Sequence, residues 1–264
     1  MDFQRKVAVV TGGSMGIGEA IAAGLVKAGA SVVIAARDIG RAEAARQRIG
    51  SVDRTLAVAC DVRRRADLEA LLAATLRRFS RLDIWINNAG RGLLDSVEQM
   101  SMADCRSMFD TNLFGAIEGM QVAIPQMKRQ GGGVIVNISS VAGHIAVPHM
   151  AAYCATKAAL NQIGRAARVE LRGTGVHVMT VCPGYIATGF SETAIKGADP
   201  QRLSAGSGRR TSPERVADAV LRGIAARKRE IVVPWKDRLL IKLYQNAPKL
   251  LERAMANMLR PAQG

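Results

Sequence analysis

Residues 7–18, VAVVTGGSMGIG, set an uninterrupted run of small and β-branched residues directly before a turn with glycines at 12, 13, 16 and 18. Apolar residues then recur at Ile17, Ile21 and Leu25, the spacing of one helix face. Strand, glycine turn and helix is the unit this spells, and the chain repeats its strand–helix alternation almost to the end. SVVIAAR precedes a polar Arg- and Ala-rich helix through Ile49. Thr55 to Cys60 precedes a helix over Ala66 to Phe79, and Leu82 to Ile86 precedes one over Met102 to Lys128. GVIVNIS leads into a helix from about Ala151 to Arg172, VHVMTVCPG into one over Pro213 to Arg227, and EIVVP closes the series. Strands apolar on both faces and separated by helices need cover on both sides. The expected fold is α/β: a single Rossmann-type doubly wound parallel sheet of about seven strands with helices on both faces.

The 264 residues suffice for one such domain, expected over residues 1–235. Within it, residues 187–212 are polar and rich in Gly and Ser, which suits a mobile loop beside a ligand. Residues 236–264 form an amphipathic helical extension. Its apolar residues Leu240, Leu243, Ala247, Leu250, Ala254 and Met258 recur at helical spacing, with a break at Pro248. Lys236, Arg238, Lys242, Lys249, Arg253 and Arg260 accompany them. Three readings stay open for this tail: packing on its own domain or a partner subunit, which is the commonest use of such a face; a lid; or an interfacial helix on anionic lipid.

No apolar run reaches the ~20 residues of a membrane span. The expected location is therefore cytoplasmic, with peripheral membrane contact left open for the tail. Cys60, Cys105, Cys154 and Cys182 contain no C-x-x-C pair, and His144, His149 and His177 lack metal spacing, so no metal site is expected. The net charge of +15 comes from short, dispersed clusters such as Arg63-Arg64-Arg65 without interleaved aromatics, which argues against nucleic acid as a partner.

Chemistry concentrates in two stretches. A glycine turn between strand and helix offers backbone N–H groups and a helix N-terminus to a phosphate. In YCATK, Tyr153 and Lys157 lie four apart and share one helix face. A free phenol titrates near ~10. An adjacent ammonium favours the phenolate and makes Tyr153 a usable acid/base.

Taken together, the motifs resemble the short-chain dehydrogenase/reductase family from about Lys6 to Pro234. T-G-x-x-x-G-I-G is met at Thr11 to Gly18 and N-N-A-G at Asn87 to Gly90. Asn112 stands on the following long helix, Ser140 after the fifth strand, Tyr153 and Lys157 in Y-x-x-x-K, and Pro183-Gly184 after the sixth strand, with Thr188 downstream. The resemblance implies catalytic roles for Asn112, Ser140, Tyr153 and Lys157. Ser140 would hydrogen-bond the substrate oxygen, with Ser139 as its rival; Lys157 would also bind the nicotinamide ribose, and Asn112 would hold a water beside Lys157. It further implies cofactor contacts from Gly12, Ser14, Gly16, Ile17, Gly18, Asp61, Val62, Asn88, Ala89, Gly90, Tyr153, Lys157, Pro183, Gly184, Ile186 and Thr188. Asp61 and Val62 would hold the adenine.

Cofactor choice turns on Ala35-Ala36-Arg37-Asp38 at the end of the second strand. If Ala36 stands where NAD-preferring relatives carry Asp, Arg37 is placed for charge-assisted bonds to a 2′-phosphate. NADP is therefore expected over NAD, although Met15 occupies a position that is basic in many NADP-using relatives. The expected function is an NADP-dependent oxidoreductase interconverting a ketone or aldehyde and a secondary alcohol by hydride transfer. Ile186, Phe190, Ile195 and Leu203, with Val147 and Met150, suggest an apolar pocket and a lipophilic substrate. A homodimer or homotetramer is expected from the resemblance. The alternative is a nucleotide-binding regulatory or scaffold protein with the same fold and little turnover.

Overall fold

The computed structural model describes residues 2–187, 194–197 and 211–259. Its main sheet has seven parallel strands: β1 (Val7–Thr11), β2 (Ser31–Ala36), β3 (Thr55–Ala59), β4 (Ile84–Asn87), β6 (Gly133–Ile138), β7 (Val176–Pro183) and β9 (Glu230–Val233). They lie in the order β3-β2-β1-β4-β6-β7-β9. A second pairing, which the sequence pattern does not predict, joins β5 (Leu93–Leu94) to β8 (Ile195–Lys196).

Nine helices are described: α1 (Gly16–Lys27), α2 (Ile39–Ile49), α3 (Arg65–Phe79), α4 (Met102–Phe109), α5 (Gly115–Arg129), α6 (Ala151–Glu170), α7 (Pro213–Ala225), α8 (Asp237–Asn246) and α9 (Pro248–Leu259). Alternate strand residues face opposite sides of the sheet, so the central strands feed two cores. Val10, Ile34 and Ile86 pack with Ile21 and Leu25 of α1 and Val220 of α7. Val9, Val33 and Trp85 pack with Leu68 and Leu71 of α3 and Met127 of α5. Two-sided burial explains why these strands read as continuous apolar runs.

One expectation needs correction, and one open reading narrows. The single helix over Met102 to Lys128 is interrupted by a π turn at Asp110–Phe114. That turn carries Asn112, whose buried amide is drawn to the backbone of Arg91; π turns accommodate such an extra residue inside a helix. In the tail, the leucines of the repeating stripe do not pack on the chain's own domain. Leu240, Leu243 and Leu250 are exposed, whereas Ile241 is buried against Val141, Cys182 and Val232. Helical periodicity reports that a face exists, but the docking of α8 against β7 and β9 selects which residue anchors it. No helix among the described residues is long and apolar enough to cross a membrane.

Candidate active site

The parallel sheet brings the C-terminal ends of β1, β4, β6 and β7 to one edge, where the chain reverses direction across the sheet between β1 and β4. Ligands of open α/β sheets bind at that edge. The glycine turn after β1 is built to stay bare. Gly12 and Gly16 have φ of +61° and +56°, values that disfavour side chains. A Cβ on Gly12 would lie 2.8 Å from Ala89 Cα, and one on Gly18 would run into Asn88 and the carbonyl of Gly12. Met15 precedes α1 without supplying a side-chain cap. A concave glycine surface at an uncapped helix N-terminus fits a pyrophosphate.

The turn is stapled to the end of β4. Thr11 Oγ1 donates to Ile86 O (3.1 Å) and accepts from the N–H groups of Asn88 (3.1 Å) and Ala89 (3.2 Å). Asn88 Nδ2 in turn donates to the carbonyls of Thr11 (3.0 Å) and Gly12 (2.9 Å). Asn88 therefore braces the cradle from behind, a role that the N-N-A-G pattern alone did not reveal. Val62 rests against Gly115 of α5, where a Cβ would lie 2.8 Å from Val62 Cγ2. Asp61 accepts from Arg63 Nε at 2.9 Å. That guanidinium holds its carboxyl below the ordinary range.

At the end of β2, Arg37 is exposed, whereas Asp38 accepts from Arg41 N at 3.2 Å as the N-cap of α2. The carboxylate next to Arg37 is thus turned to a helix N-terminus. Arg48, absent from the sequence expectations, arrives from the far end of α2 and donates to Ser14 O at 3.3 Å while pairing with Glu19 at 2.7 Å. Only the packing of α2 beside α1 could disclose it.

Around YCATK, α6 places Tyr153 and Lys157 in buried positions. Lys157 Nζ donates to Ile138 O at 2.9 Å and lies 5.7 Å from the centre of the Tyr153 ring. Ser140 is hydrogen-bonded to Tyr153, also accepts from Ala142 N at 3.1 Å, and donates to Pro183 O at 3.3 Å. Ser139 turns the other way and donates to Lys157 O at 3.2 Å. The geometry therefore separates the two serines. Asn112 accepts from Arg91 N at 2.8 Å and donates to Arg91 O at 2.9 Å and to Thr156 Oγ1 at 3.3 Å. A Cβ on Gly90 would lie 3.3 Å from Asn112 Oδ1 and 3.7 Å from Lys157 Nζ, so these groups converge over a residue that has no side chain.

Burial acts on both ionisable partners. It pushes the Tyr153 phenol up to about 12, against the effect of the hydrogen bond with Ser140, and pulls Lys157 down to about 8. Lys157 thus stays mostly charged at neutral pH, and Tyr153 holds its proton. Val147, Met150 and Ile195 pack against the buried cluster that holds Leu93, Met108 and Tyr153, an apolar wall on that flank of the site. Ile186 instead joins the core below the sheet edge and bridges to Thr211. Gly184 N donates to Val233 O at 2.8 Å. Thr188, Phe190 and Leu203, with most of the loop over 187–212, lie outside the described residues.

Comparison with known proteins agrees with this fold. Residues 6–198 match the family model described as short chain dehydrogenase. An uncharacterized oxidoreductase of Staphylococcus epidermidis is 34% identical over 218 residues, covering 83% of this chain and 90% of the relative. The ketoacyl reductase HetN of Nostoc sp. is 35% identical over 231 residues, covering 86% and 78%. Among solved structures, a short chain dehydrogenase/reductase from Burkholderia phymatum in complex with NAD superposes with a TM-score of 0.87 at 28% identity, covering 95% of this chain and 96% of the other. With its seven-stranded parallel sheet, its glycine cradle and its buried Tyr153–Lys157 pair, the chain belongs to the short-chain dehydrogenase family of oxidoreductases.

Proposed function

We propose that this oxidoreductase uses NADP to interconvert a ketone or aldehyde and a secondary alcohol, with Tyr153 as its acid/base. The observation that carries the reading is the convergence of Ser140, Tyr153 and Lys157 beside an uncapped glycine cradle at the sheet edge. The cofactor, when bound, supplies or accepts the hydride at its nicotinamide ring. Gly12, Ser14, Gly16, Ile17 and Gly18 would hold its pyrophosphate, Asp61 and Val62 its adenine, and Asn88, Ala89, Gly90, Pro183, Gly184, Ile186 and Thr188 its remaining length.

The side chains then divide the work on the substrate. Ser140, on exchanging Pro183 O for the substrate, donates to the carbonyl oxygen and holds it against Tyr153. Tyr153, which burial keeps protonated, delivers its proton to that oxygen as the alcohol forms. Lys157 stabilises the phenolate left behind and binds the nicotinamide ribose. Asn112 has committed its amide to Arg91 and Thr156. Its main-chain carbonyl is therefore the group we assign to the water beside Lys157.

For NADP, the support is an exposed Arg37 whose acidic neighbour is occupied as a helix cap. Arg48, reaching Ser14 O, adds a second guanidinium near the turn where Met15 offers none. The wall formed by Val147, Met150 and Ile195 favours a lipophilic substrate. A ketoacyl reductase among the relatives makes oxoacyl thioesters sensible members of a substrate panel.

Exposed Phe114, Ile163 and Val169, beside or on the long helices α5 and α6, support assembly of identical subunits through those helices. On the tail, exposed Trp235, Leu239, Leu240, Leu243 and Leu250 accompany five cations, Lys236, Arg238, Lys242, Lys249 and Arg253. That combination supports peripheral contact with an anionic membrane surface of an otherwise cytoplasmic enzyme.

The test is NADPH oxidation with a panel of ketones, aldehydes and oxoacyl thioesters, alongside dissociation constants for NADPH and NADH. Turnover is expected with tighter NADPH binding. Tyr153→Phe should retain binding and lose roughly a thousandfold in turnover, and Arg37→Ala should lose roughly tenfold in NADPH affinity with NADH unaffected. Near-normal turnover in Tyr153→Phe overturns the mechanism, and equal affinities overturn the preference. Tight NADPH binding with silence across the panel favours a regulatory or scaffold protein.

A further inference from the structure

Away from the reacting groups, three metal-ligating side chains from distant parts of the chain meet behind the site. His144 Nε2 lies 3.4 Å from Cys182 Sγ and 3.6 Å from Glu230 Oε1, and all three ligand atoms fall within 4.8 Å of one another. Asn161 Nδ2 stands 3.3 Å from the same ring nitrogen. One imidazole nitrogen carries either a proton or a lone pair. If it carries the lone pair, the Glu230 carboxylate faces another acceptor. If it carries the proton, the amide of Asn161 faces another donor. The groups find partners elsewhere, Glu230 in Arg165 and Asn161 in Gly143 O, but no single state of the ring bonds all of its neighbours.

A cation at its centre would engage all three ligand atoms at once. Tetrahedral zinc with N, S and O ligands separates them by roughly 3.4 to 3.6 Å, and the two distances from Nε2 fall at that value. Glu230 is already divided as a one-oxygen ligand would be, with Oε1 toward His144 and Oε2 toward Arg165 at 3.2 Å. Hydrogen bonds to the second oxygen orient such carboxylates. Cys182 is buried, the imidazole of His144 is 7% exposed, and Glu230 is partly open to solvent.

We propose that His144, Cys182 and Glu230 bind one zinc-class divalent ion, with a water or the Asn161 amide oxygen as fourth ligand. Binding converts the thiol to a thiolate and releases its proton to solvent. Thiolate and carboxylate together balance the ion's two charges. The site would tie the turn after β6 to β7 and β9. Cys182 precedes Pro183, which accepts from Ser140, and Asn161 lies one helical turn beyond Lys157. The ion is thus a clamp on the segments that carry the acid/base group, and takes no part in the proton transfer.

Chelator-treated full-length protein should be titrated with Co2+, followed by displacement with Zn2+. One equivalent of Co2+ is expected to raise a near-ultraviolet thiolate-to-metal band that Zn2+ abolishes, and Zn2+ should raise the thermal midpoint. Cys182→Ser should remove the band and Glu230→Gln should weaken binding at least tenfold, while Cys60→Ser keeps both. His144→Gln, checked for fold by circular dichroism, serves if Cys182→Ser does not fold. No band in the wild type, or a band that survives both Cys182→Ser and His144→Gln, overturns the proposal.

Discussion

Lys157 shows how one residue can be placed against its own solvation. Its ammonium is buried, and its one hydrogen bond among those described goes to Ile138 O. The folded protein releases this proton near about 8, whereas the unfolded chain keeps it to the ordinary 10.5. Between these values the unfolded state binds more protons, so this residue's contribution makes the fold gain stability as pH rises. Lys157→Met should therefore lose turnover and gain stability at pH 7. Its advantage over wild type should shrink by about 2 kcal/mol between pH 7 and 9.5. Urea unfolding of both proteins at the two pH values checks it; a gap that does not move removes the buried charge as the cause. Tyr153 acts oppositely, because its phenol is raised to about 12, but only above the ordinary 10.

Among elements, the decisive joint is between β1 and β4, where four hydrogen bonds tie Thr11 and Gly12 to Asn88 and Ala89 behind the glycine cradle. Asn88→Ala strands the carbonyls of Thr11 and Gly12. A loss of about 2 kcal/mol is expected, together with weaker cofactor binding, read by urea unfolding and by NADPH titration. Unchanged stability would show that water replaces the brace. Here the sequence was informative about where, and poor about how. N-N-A-G marked the segment, yet Asn88 faces back into the fold because the parallel register sets it beside the end of β1. The π turn was illegible for a related reason. MADCRSMFDTNLFG carries ordinary helical spacing, and only the pull of Arg91 on Asn112 distinguishes it.

On the scale of the whole molecule, the tail is half committed. Ile241 seals Cys182 and Val232, so deleting the tail would bare the sheet edge. Substitution is the cleaner probe. The full-length protein should sediment with anionic vesicles but not with zwitterionic ones, and Leu239→Glu with Leu243→Glu should abolish that binding while cofactor affinity is retained. Sedimentation velocity without lipid reports the number of subunits. Equal behaviour with both vesicle types would return the exposed leucines to a subunit contact.

The amino-acid sequence by itself determined the alternation of buried strands and helices, the glycine turn and the order of the motif residues. These are local properties, set by side-chain periodicity and by backbone conformations that only glycine adopts freely. The tertiary structure decided what depends on meeting across the chain. It turned Ser140 toward Tyr153 and Ser139 toward the backbone of Lys157, exposed Arg37 while spending Asp38 on a cap, and made Ile241 the tail's anchor. It also gathered His144, Cys182 and Glu230 within one ion's reach. Side chains 38 and 86 residues beyond His144 leave no pattern in a linear chain, because only the parallel register of β6, β7 and β9 sets their separation.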